Sequence, residues 1–77
     1  MKVEISLDGY LVGGDAPAGD LGAELRVRVL PVLLGSGRPA FDDVTAAELR
    51  LEEATLLDDG SVELLYRPKG FVGREPV

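Results

Sequence analysis

The sequence contains no cysteine, histidine or tryptophan, and only two tyrosines and two phenylalanines occur in its 77 residues. Disulfide bonds, Cys/His zinc sites, thiol nucleophiles and histidine-dependent catalytic triads are therefore excluded. A chain of this length forms at most one small domain with a thin core, burying only about 60% of the surface that its unfolded form exposes. Because no covalent or metal cross-link is available, we expect self-association to add stability, with a homodimer or larger homo-oligomer as the result.

Positive charge is also scarce. Eight Lys and Arg residues stand against 14 Asp and Glu, which gives a formal net charge of -6. This balance disfavours attraction to nucleic acid or to anionic lipid. No apolar run approaches the roughly 20 residues of a membrane helix, and the N-terminus lacks a signal-peptide core. We therefore expect a cytoplasmic protein with no nucleic-acid partner and no membrane partner.

The first half of the chain predicts two strands and a loop. Apolar and polar residues alternate at 3–7 and again at 24–29, which is the period of a half-buried strand. From 30 to 34 the run is apolar on both faces, so we expect the second strand to continue there with both faces covered. Pro31 lacks an N–H and is expected at a bulge or an edge position. Residues 13–22 hold four glycines and a proline, and they predict a flexible loop.

The second half predicts a helical turn and a hairpin. Thr45 and Glu48 have the spacing of a helix capping box, while the pair Asp59-Gly60 between two apolar runs is typical of a hairpin turn. We therefore predict a short helical turn near 42–47, then a hairpin formed by 49–57 and 61–68. Residues 69–77 have no period and are expected to fray or to pair with a neighbour.

Together these elements predict a single α+β domain over residues 1–77. Its main part is an antiparallel sheet of three or four strands, accompanied by one short helical turn. Three pairs of adjacent acidic residues occur, at 42–43, 52–53 and 58–59. We interpret them as solvated charge rather than a metal site, because adjacent residues on a strand point to opposite faces and the other pairs suit a turn or a helix start.

The glycine-rich segment 35–38 (GSGR) allows two interpretations. Successive backbone N–H groups beside an arginine could bind an anion such as a cofactor phosphate. A nucleotide fingerprint would also need a helix directly after the glycines, and the following residues 39–41 (PAF) do not supply one. We favour a strand exit. Asp8, which precedes a glycine, is similarly interpreted as a turn residue, with a general acid or a partner for a substrate amine as the alternative.

Two stretches of the chain resemble one family. Residues 5–10 (ISLDGY) resemble the first strand and loop of the bacterial dihydrofolate-reductase-like proteins, which include the C-terminal domain of the riboflavin-pathway deaminase-reductase. Residues 25–68 are similar to the C-terminal end of that family, with 35–39 matching its glycine-rich turn and 65–68 its last strand. The two stretches cover about two thirds of the chain, in the family's order. The family's central strands, helices and cofactor loops have no counterpart between them.

The resemblance implies an oxidoreductase of the riboflavin biosynthesis type that uses NADPH to reduce a pterin-like or pyrimidine substrate. It implies that Asp8 and Tyr10 line the substrate side, and that Gly13 and Gly14 approach the cofactor as part of either the first loop or the Gly-Gly cofactor loop. It also implies a dimer. Because the family's centre is missing, we expect an incomplete active site. A non-catalytic oligomerising β module is the alternative, and a pocket shared across a symmetry axis is a further one.

Overall fold

The computed structural model describes residues 1–69. They form one mixed sheet of five strands in the order β2-β1-β3-β5-β4, and no helix occurs among them. Strands β1 and β3 are parallel, and the other neighbouring pairs are antiparallel. The strands are β1 (Lys2–Ile5), β2 (Leu11–Gly14), β3 (Leu25–Val29), β4 (Leu49–Leu56) and β5 (Val62–Pro68). Except for its first residue, the predicted tail at 69–77 lies outside the described residues.

The predicted α+β class is wrong, because the described chain is all-β and its sheet is mixed. Residues 42–47 form a turn and an isolated bridge instead of a helical turn. Gly19 donates its N–H to the Asp43 carbonyl at 3.0 Å, and Thr45 donates its N–H to the Gly19 carbonyl at 2.9 Å. The backbone groups that a helical turn would use are therefore bonded to a distant loop, and the capping-box spacing does not start a helix.

The number of strands exceeds the three or four expected because of β2, and one pairing within the sheet was not expected either. Strand β2 was missed because it is short and ends in Gly13 and Gly14, which sequence patterns assign to loops. The parallel pairing of β1 with β3 was missed because it joins segments that no tight turn connects. Backbone bonds from Arg26 to the Met1 carbonyl (2.8 Å) and from Leu30 to the Ile5 carbonyl (2.9 Å) bracket this parallel ladder.

Strand β3 ends at Val29, so the predicted continuation through 30–34 is wrong. The Val32 N–H donates to the Leu30 carbonyl at 2.8 Å, which makes a tight turn centred on Pro31. Pro31 thus lies beyond the ladder instead of at a bulge within it. Leu33 is 72% exposed, although its surroundings in the sequence predicted a covered strand.

The predicted C-terminal hairpin is confirmed to within a residue at each strand end. Its turn is closed by bonds from Gly60 to the Leu57 carbonyl (3.1 Å) and from Leu57 to the Ser61 carbonyl (2.9 Å). Gly60 has a φ of +90°, and among the described residues only glycines have a positive φ. Asp59 has no positive φ, so the Asp59-Gly60 pair does not form a two-residue type I′ turn; Gly60 instead supplies the one positive φ of a longer loop.

The sheet has one apolar face and one charged face. The register aligns Val3 with Val27 and Val27 with Leu64, so these side chains share a face. Val3 and Val27 are buried there, and burying a side chain of this size contributes about 1.5–3 kcal/mol. Glu4 and Arg28 lie on the opposite face, 3.9 Å apart. Residues 1–69 contain no helix long and apolar enough to cross a membrane.

Candidate functional site

The motif ISLDGY ends strand β1 and forms a closed turn. The Ser6 N–H donates to the Tyr10 carbonyl (2.9 Å), and the Gly9 N–H donates to the Ser6 carbonyl (3.0 Å). The Ser6 side chain is fully buried, and its Oγ accepts a hydrogen bond from the Tyr10 N–H at 2.9 Å. Gly9 has a φ of +93°, a conformation that other residues rarely adopt. These bonds fix the positions of Asp8 and Tyr10, which the resemblance places on the substrate side.

The carboxylate of Asp8 connects this turn to the glycine-rich segment. Its Oδ1 accepts from Ser6 Oγ (2.6 Å) and from the Leu34 N–H (3.2 Å), and its Oδ2 accepts from the Gly35 N–H (2.9 Å). These hydrogen bonds, that from Ser6 first, lower the pKa of Asp8 below the ordinary value for an aspartate. An internal carboxylate therefore occupies the position that an external anion would take at the start of segment 35–38. This supports the strand-exit interpretation of the segment.

Backbone bonds complete this connection, which we call the Asp8 junction (residues 6–10 and 34–40). Leu11 donates its N–H to the Arg38 carbonyl (2.7 Å), and Ala40 donates to the Gly9 carbonyl (3.0 Å). The ring of Tyr10 lies against Gly37, so close that a Cβ at this glycine would stand 3.8 Å from the ring. The side chain of Arg38 is exposed and forms no ion pair with any residue of the described range.

Gly13 and Gly14 lie in strand β2, where both face strand β1. A Cβ on Gly14 would stand 2.6 Å from the Lys2 carbonyl oxygen, and a Cβ on Gly13 would stand 2.8 Å from Glu4 Oε1. Gly14 also has a φ of +77°. The backbone of strand β1 thus fills the space beside Gly14 and accounts for this glycine without a ligand, whereas only the end of the Glu4 side chain lies beside Gly13.

This packing tests whether the described residues fit NADPH. A dinucleotide needs convergent N–H donors for its phosphates and a cleft that buries most of its surface. The backbone of strand β1 fills the space beside Gly14, and the carboxylate of Glu4 lies beside Gly13. Asp8 already uses the N–H groups of Leu34 and Gly35. Residues 1–69 alone therefore do not fit the cofactor, although the resemblance implies it.

A cavity of about 440 Å³ opens on the apolar face of the sheet, beneath the segment 41–47. No charged residue lines it, and Thr45 and Tyr66 supply its only side-chain hydroxyls. Neither Asp8 and Tyr10 nor the two glycines of β2 reach this cavity, so the four predicted site residues are not gathered around one pocket. The lining residues are Ile5, Leu21, Leu25, Val27, Val29, Phe41, Val44, Thr45, Ala46, Ala47, Leu49, Leu64 and Tyr66. Such a lining fits an apolar group or packing element and offers almost no donors for phosphate.

A second carboxylate has a local role in the β4–β5 turn. Asp59 Oδ1 accepts from the Ser61 N–H (2.9 Å) and from Ser61 Oγ (2.6 Å), and Arg28 pairs with the same carboxylate. The bonds from Ser61, followed by Arg28, lower the pKa of Asp59 to about 2. Within residues 1–69 no group of three or more acidic side chains is placed to hold a metal ion.

Sequence reasoning missed both the cavity and the bonds of Asp8. The alternation in β3 and β5 correctly indicated an apolar sheet face, but it did not indicate that segment 41–47 crosses that face. The bonds of Asp8 to Leu34 and Gly35 span 26 and 27 residues. A pattern within one segment cannot indicate such a contact, whereas an aspartate directly before a glycine did indicate the turn itself.

No protein-family model and no curated protein sequence matches the chain. Among solved structures, a crystal structure from Shewanella sp. PV-4, described as that of a riboflavin biosynthesis protein, matches with a TM-score of 0.55 and 23% sequence identity. The match covers 61% of this chain and 27% of the Shewanella chain. It shows a shared fold over that stretch, and at the level of fold it is consistent with the resemblance to riboflavin-pathway proteins.

Proposed function

We propose that the protein is a dihydrofolate-reductase-like domain of the riboflavin-pathway reductase type, and that residues 1–69 supply its sheet and the substrate-side turn. The proposed reaction is the NADPH-dependent reduction of a pterin-like or pyrimidine substrate. NADPH would supply the hydride in that reaction, although residues 1–69 alone do not fit it. Support comes from the two family-like stretches and from the fold shared with the Shewanella protein.

The observation that carries the proposal is the state of the Asp8 carboxylate. It is exposed, it is held by neutral donors, and within residues 1–69 no lysine or arginine forms an ion pair with it. Its negative charge is thus uncompensated and fixed in position. A carboxylate in this state can accept hydrogen bonds from the amino and ring N–H groups of an aminopyrimidine or a pterin. The neighbouring ring of Tyr10 offers an aromatic surface for such a heterocycle.

Titration with pterin, followed by the fluorescence of the ligand, tests this proposal. We expect weak but saturable binding that is reduced in Asp8→Asn and in Tyr10→Ala. Asp59→Asn is the matched control, because Asp59 also precedes a glycine and also bonds a serine two residues away. Circular dichroism checks that each variant is folded. Absence of saturable binding, or an equal loss in the Asp59 control, would contradict the substrate-side assignment.

Calorimetric titration with NADPH at low salt tests where the cofactor binds. Micromolar affinity requires about 8 kcal/mol of net binding free energy, and the described glycines and Arg38 do not supply the contacts for it. We therefore expect no saturable binding at low micromolar NADPH. A stoichiometric low-micromolar signal would instead favour a cofactor pocket assembled between subunits.

A non-catalytic oligomerising β module is the second candidate. The open cavity on the apolar face favours it, because an apolar lining without charged groups is typical of a surface that packs against another element. The two candidates differ in the pterin titration. Saturable binding that depends on Asp8 supports the reductase-type domain, whereas concentration-dependent association without any pterin binding supports the β module.

A further inference from the structure

The cavity on the apolar face of the sheet has two walls of different origin. One wall is the sheet itself, where Leu25 and Val27 are buried and the apolar side chains around them are partly buried. The other wall is the segment 41–47, whose residues Ala46 and Ala47 line the cavity and are nevertheless exposed. These two alanines therefore lie over the sheet without filling the space beneath them.

Backbone hydrogen bonds hold this segment in place. Just before it, the Ala40 N–H donates to the Gly9 carbonyl at 3.0 Å. Within it, the Asp43 carbonyl accepts from the Gly19 N–H (3.0 Å), and the Thr45 N–H donates to the Gly19 carbonyl (2.9 Å). A sheet or a helix that packed on this face would have to displace the segment, because such packing needs the face free. A small molecule needs only the space that is already there.

The size and the lining of the cavity define a class of ligand. Its volume is about 440 Å³, roughly three times that of a dry apolar cavity that accommodates benzene. No charged residue lines it, so an ionised head group would be buried there without a partner, at a large cost in free energy. The net charge of -6 adds repulsion for an anion. The cavity thus suits a neutral, mainly apolar molecule of two or three rings.

Two hydroxyl groups add a polar feature to this lining. Thr45 and Tyr66 carry them, and neither hydroxyl forms a hydrogen bond with another residue of the range 1–69. A hydroxyl can both donate and accept. A single hydroxyl, carbonyl or N–H group on the ligand therefore has a suitable partner in the lining.

We propose that this cavity binds a neutral small molecule of two or three rings that carries a single hydrogen-bonding group. Burial of the apolar rings supplies most of the affinity, and the hydroxyls of Thr45 and Tyr66 orient the polar group. Asp8 and Tyr10 do not line the cavity, so this site is separate from the proposed substrate side. The inference does not depend on the proposed reductase activity.

Titration of the full chain with N-phenyl-1-naphthylamine tests the site. This probe is uncharged, has three aromatic rings and one N–H group, and fluoresces strongly in apolar surroundings. We expect saturable binding, with displacement of the probe by 2-naphthol but not by pterin. Ala46→Phe adds a ring to the wall formed by segment 41–47, and we expect the dissociation constant of the probe to rise about tenfold or more.

Ala16→Phe is the matched control, because Ala16 is also exposed and does not line the cavity. We expect this variant to bind the probe like the wild type. Tyr66→Phe keeps the ring and removes only the hydroxyl, so we expect 2-naphthol to bind about fivefold more weakly. Naphthalene, which has no hydroxyl, should displace the probe equally well from Tyr66→Phe and from the wild type. Circular dichroism checks that each variant is folded.

Three outcomes would overturn the proposal. The first is fluorescence that rises without saturation, or that rises equally in Ala46→Phe and Ala16→Phe. The second is a probe affinity that falls as the protein concentration is raised, because a second copy of the chain would then occupy the cavity. The third is tighter probe binding by Phe71→Ser, which would assign the cavity to the C-terminal residues of this chain instead of a ligand.

Discussion

The two hairpins of the sheet use the same turn chemistry for different purposes. In β1–β2 and in β4–β5, an Asp-Gly pair makes the turn and the aspartate bonds a serine two residues away at 2.6 Å. In the second hairpin Arg28 neutralises Asp59. In the first hairpin the Asp8 carboxylate bonds only neutral donors and reaches the distant residues Leu34 and Gly35.

This difference teaches which of two similar motifs is the better candidate for function. A carboxylate that is neutralised by its own chain has little left to offer a ligand, and its effect is confined to the turn. A carboxylate that is held rigidly by N–H and O–H donors keeps its full charge at the surface. Sequence alone does not distinguish Asp8 from Asp59, because the distinguishing partners are remote in sequence.

The largest expected effect concerns the strands of the first hairpin. Gly14→Ala would place a Cβ 2.6 Å from the Lys2 carbonyl oxygen and would force a side-chain-bearing residue to a φ of +77°. Because the obstacle is backbone, strand β1 has to shift. We expect a loss of about 2 kcal/mol or more in the free energy of unfolding, measured by urea titration.

Gly13→Ala is the matched control for that substitution. Its Cβ would meet only the carboxyl end of Glu4, with Oε1 at 2.8 Å, and this is the end of a flexible, half-buried side chain that can move away. We expect a change of less than about 1 kcal/mol. Two outcomes would contradict a structural role for Gly14 beside strand β1. One is an equal loss of stability in both variants, and the other is a Gly14→Ala variant that alters ligand binding without any change in stability.

The pH dependence of stability is expected to show a smaller difference between the two hairpins than these substitutions do. The folded pKa of Asp59 is about 2, against an ordinary value of 3.8, so the folded state binds fewer protons than the unfolded state. The corresponding stability is present above about pH 4 and is lost as the pH falls toward 2. The pKa of Asp8 is also lowered, with the same sign. We expect the urea midpoint of Asp59→Asn to depend less steeply on pH in this window than that of the wild type.

If the urea midpoint of Asp59→Asn depended on pH as steeply as that of the wild type, other carboxylates would control the acid transition. Asp58→Asn is the control, since this neighbouring turn residue takes part in no ion pair of the described range. It is expected to keep the slope of the wild type.

Amide hydrogen exchange can show which backbone N–H groups depend on each of the two carboxylates. In Asp8→Ala the N–H groups of Leu34 and Gly35 lose their acceptor, so we expect these amides to exchange faster. In Asp59→Ala the amide of Ser61 should respond instead. Accelerated exchange at Leu34 and Gly35 in both variants would indicate general loosening of the sheet and would contradict separate roles for the two turns.

The sequence predicted the parts of the fold that depend on local pattern. The alternation around 49–68 and the Asp59-Gly60 pair were sufficient for the second hairpin. Strand β2 was missed because its two glycines, which allow close contact with β1, are typical of a loop when only the sequence is considered. The helical turn at 42–47 was wrong because Gly19, more than 20 residues away, takes the backbone bonds. For the candidate site, Asp8 and its turn were identified, but the attachment to Leu34 and Gly35 was not.

The smallest expected effect is that of Arg38→Ala, which tests the glycine-rich segment to which the first hairpin is attached. The contribution of this residue to the Asp8 junction is its carbonyl, which accepts from the Leu11 N–H at 2.7 Å, and alanine retains that carbonyl. Its exposed guanidinium forms no ion pair within the described residues, so we expect the free energy of unfolding to change by less than about 0.5 kcal/mol. Any binding of NADPH should change even less, because Asp8 already occupies the adjacent N–H donors. Urea titration and calorimetry on the same samples provide both readouts, and a large selective loss of nucleotide binding with an unchanged urea midpoint would make Arg38 a cofactor ligand.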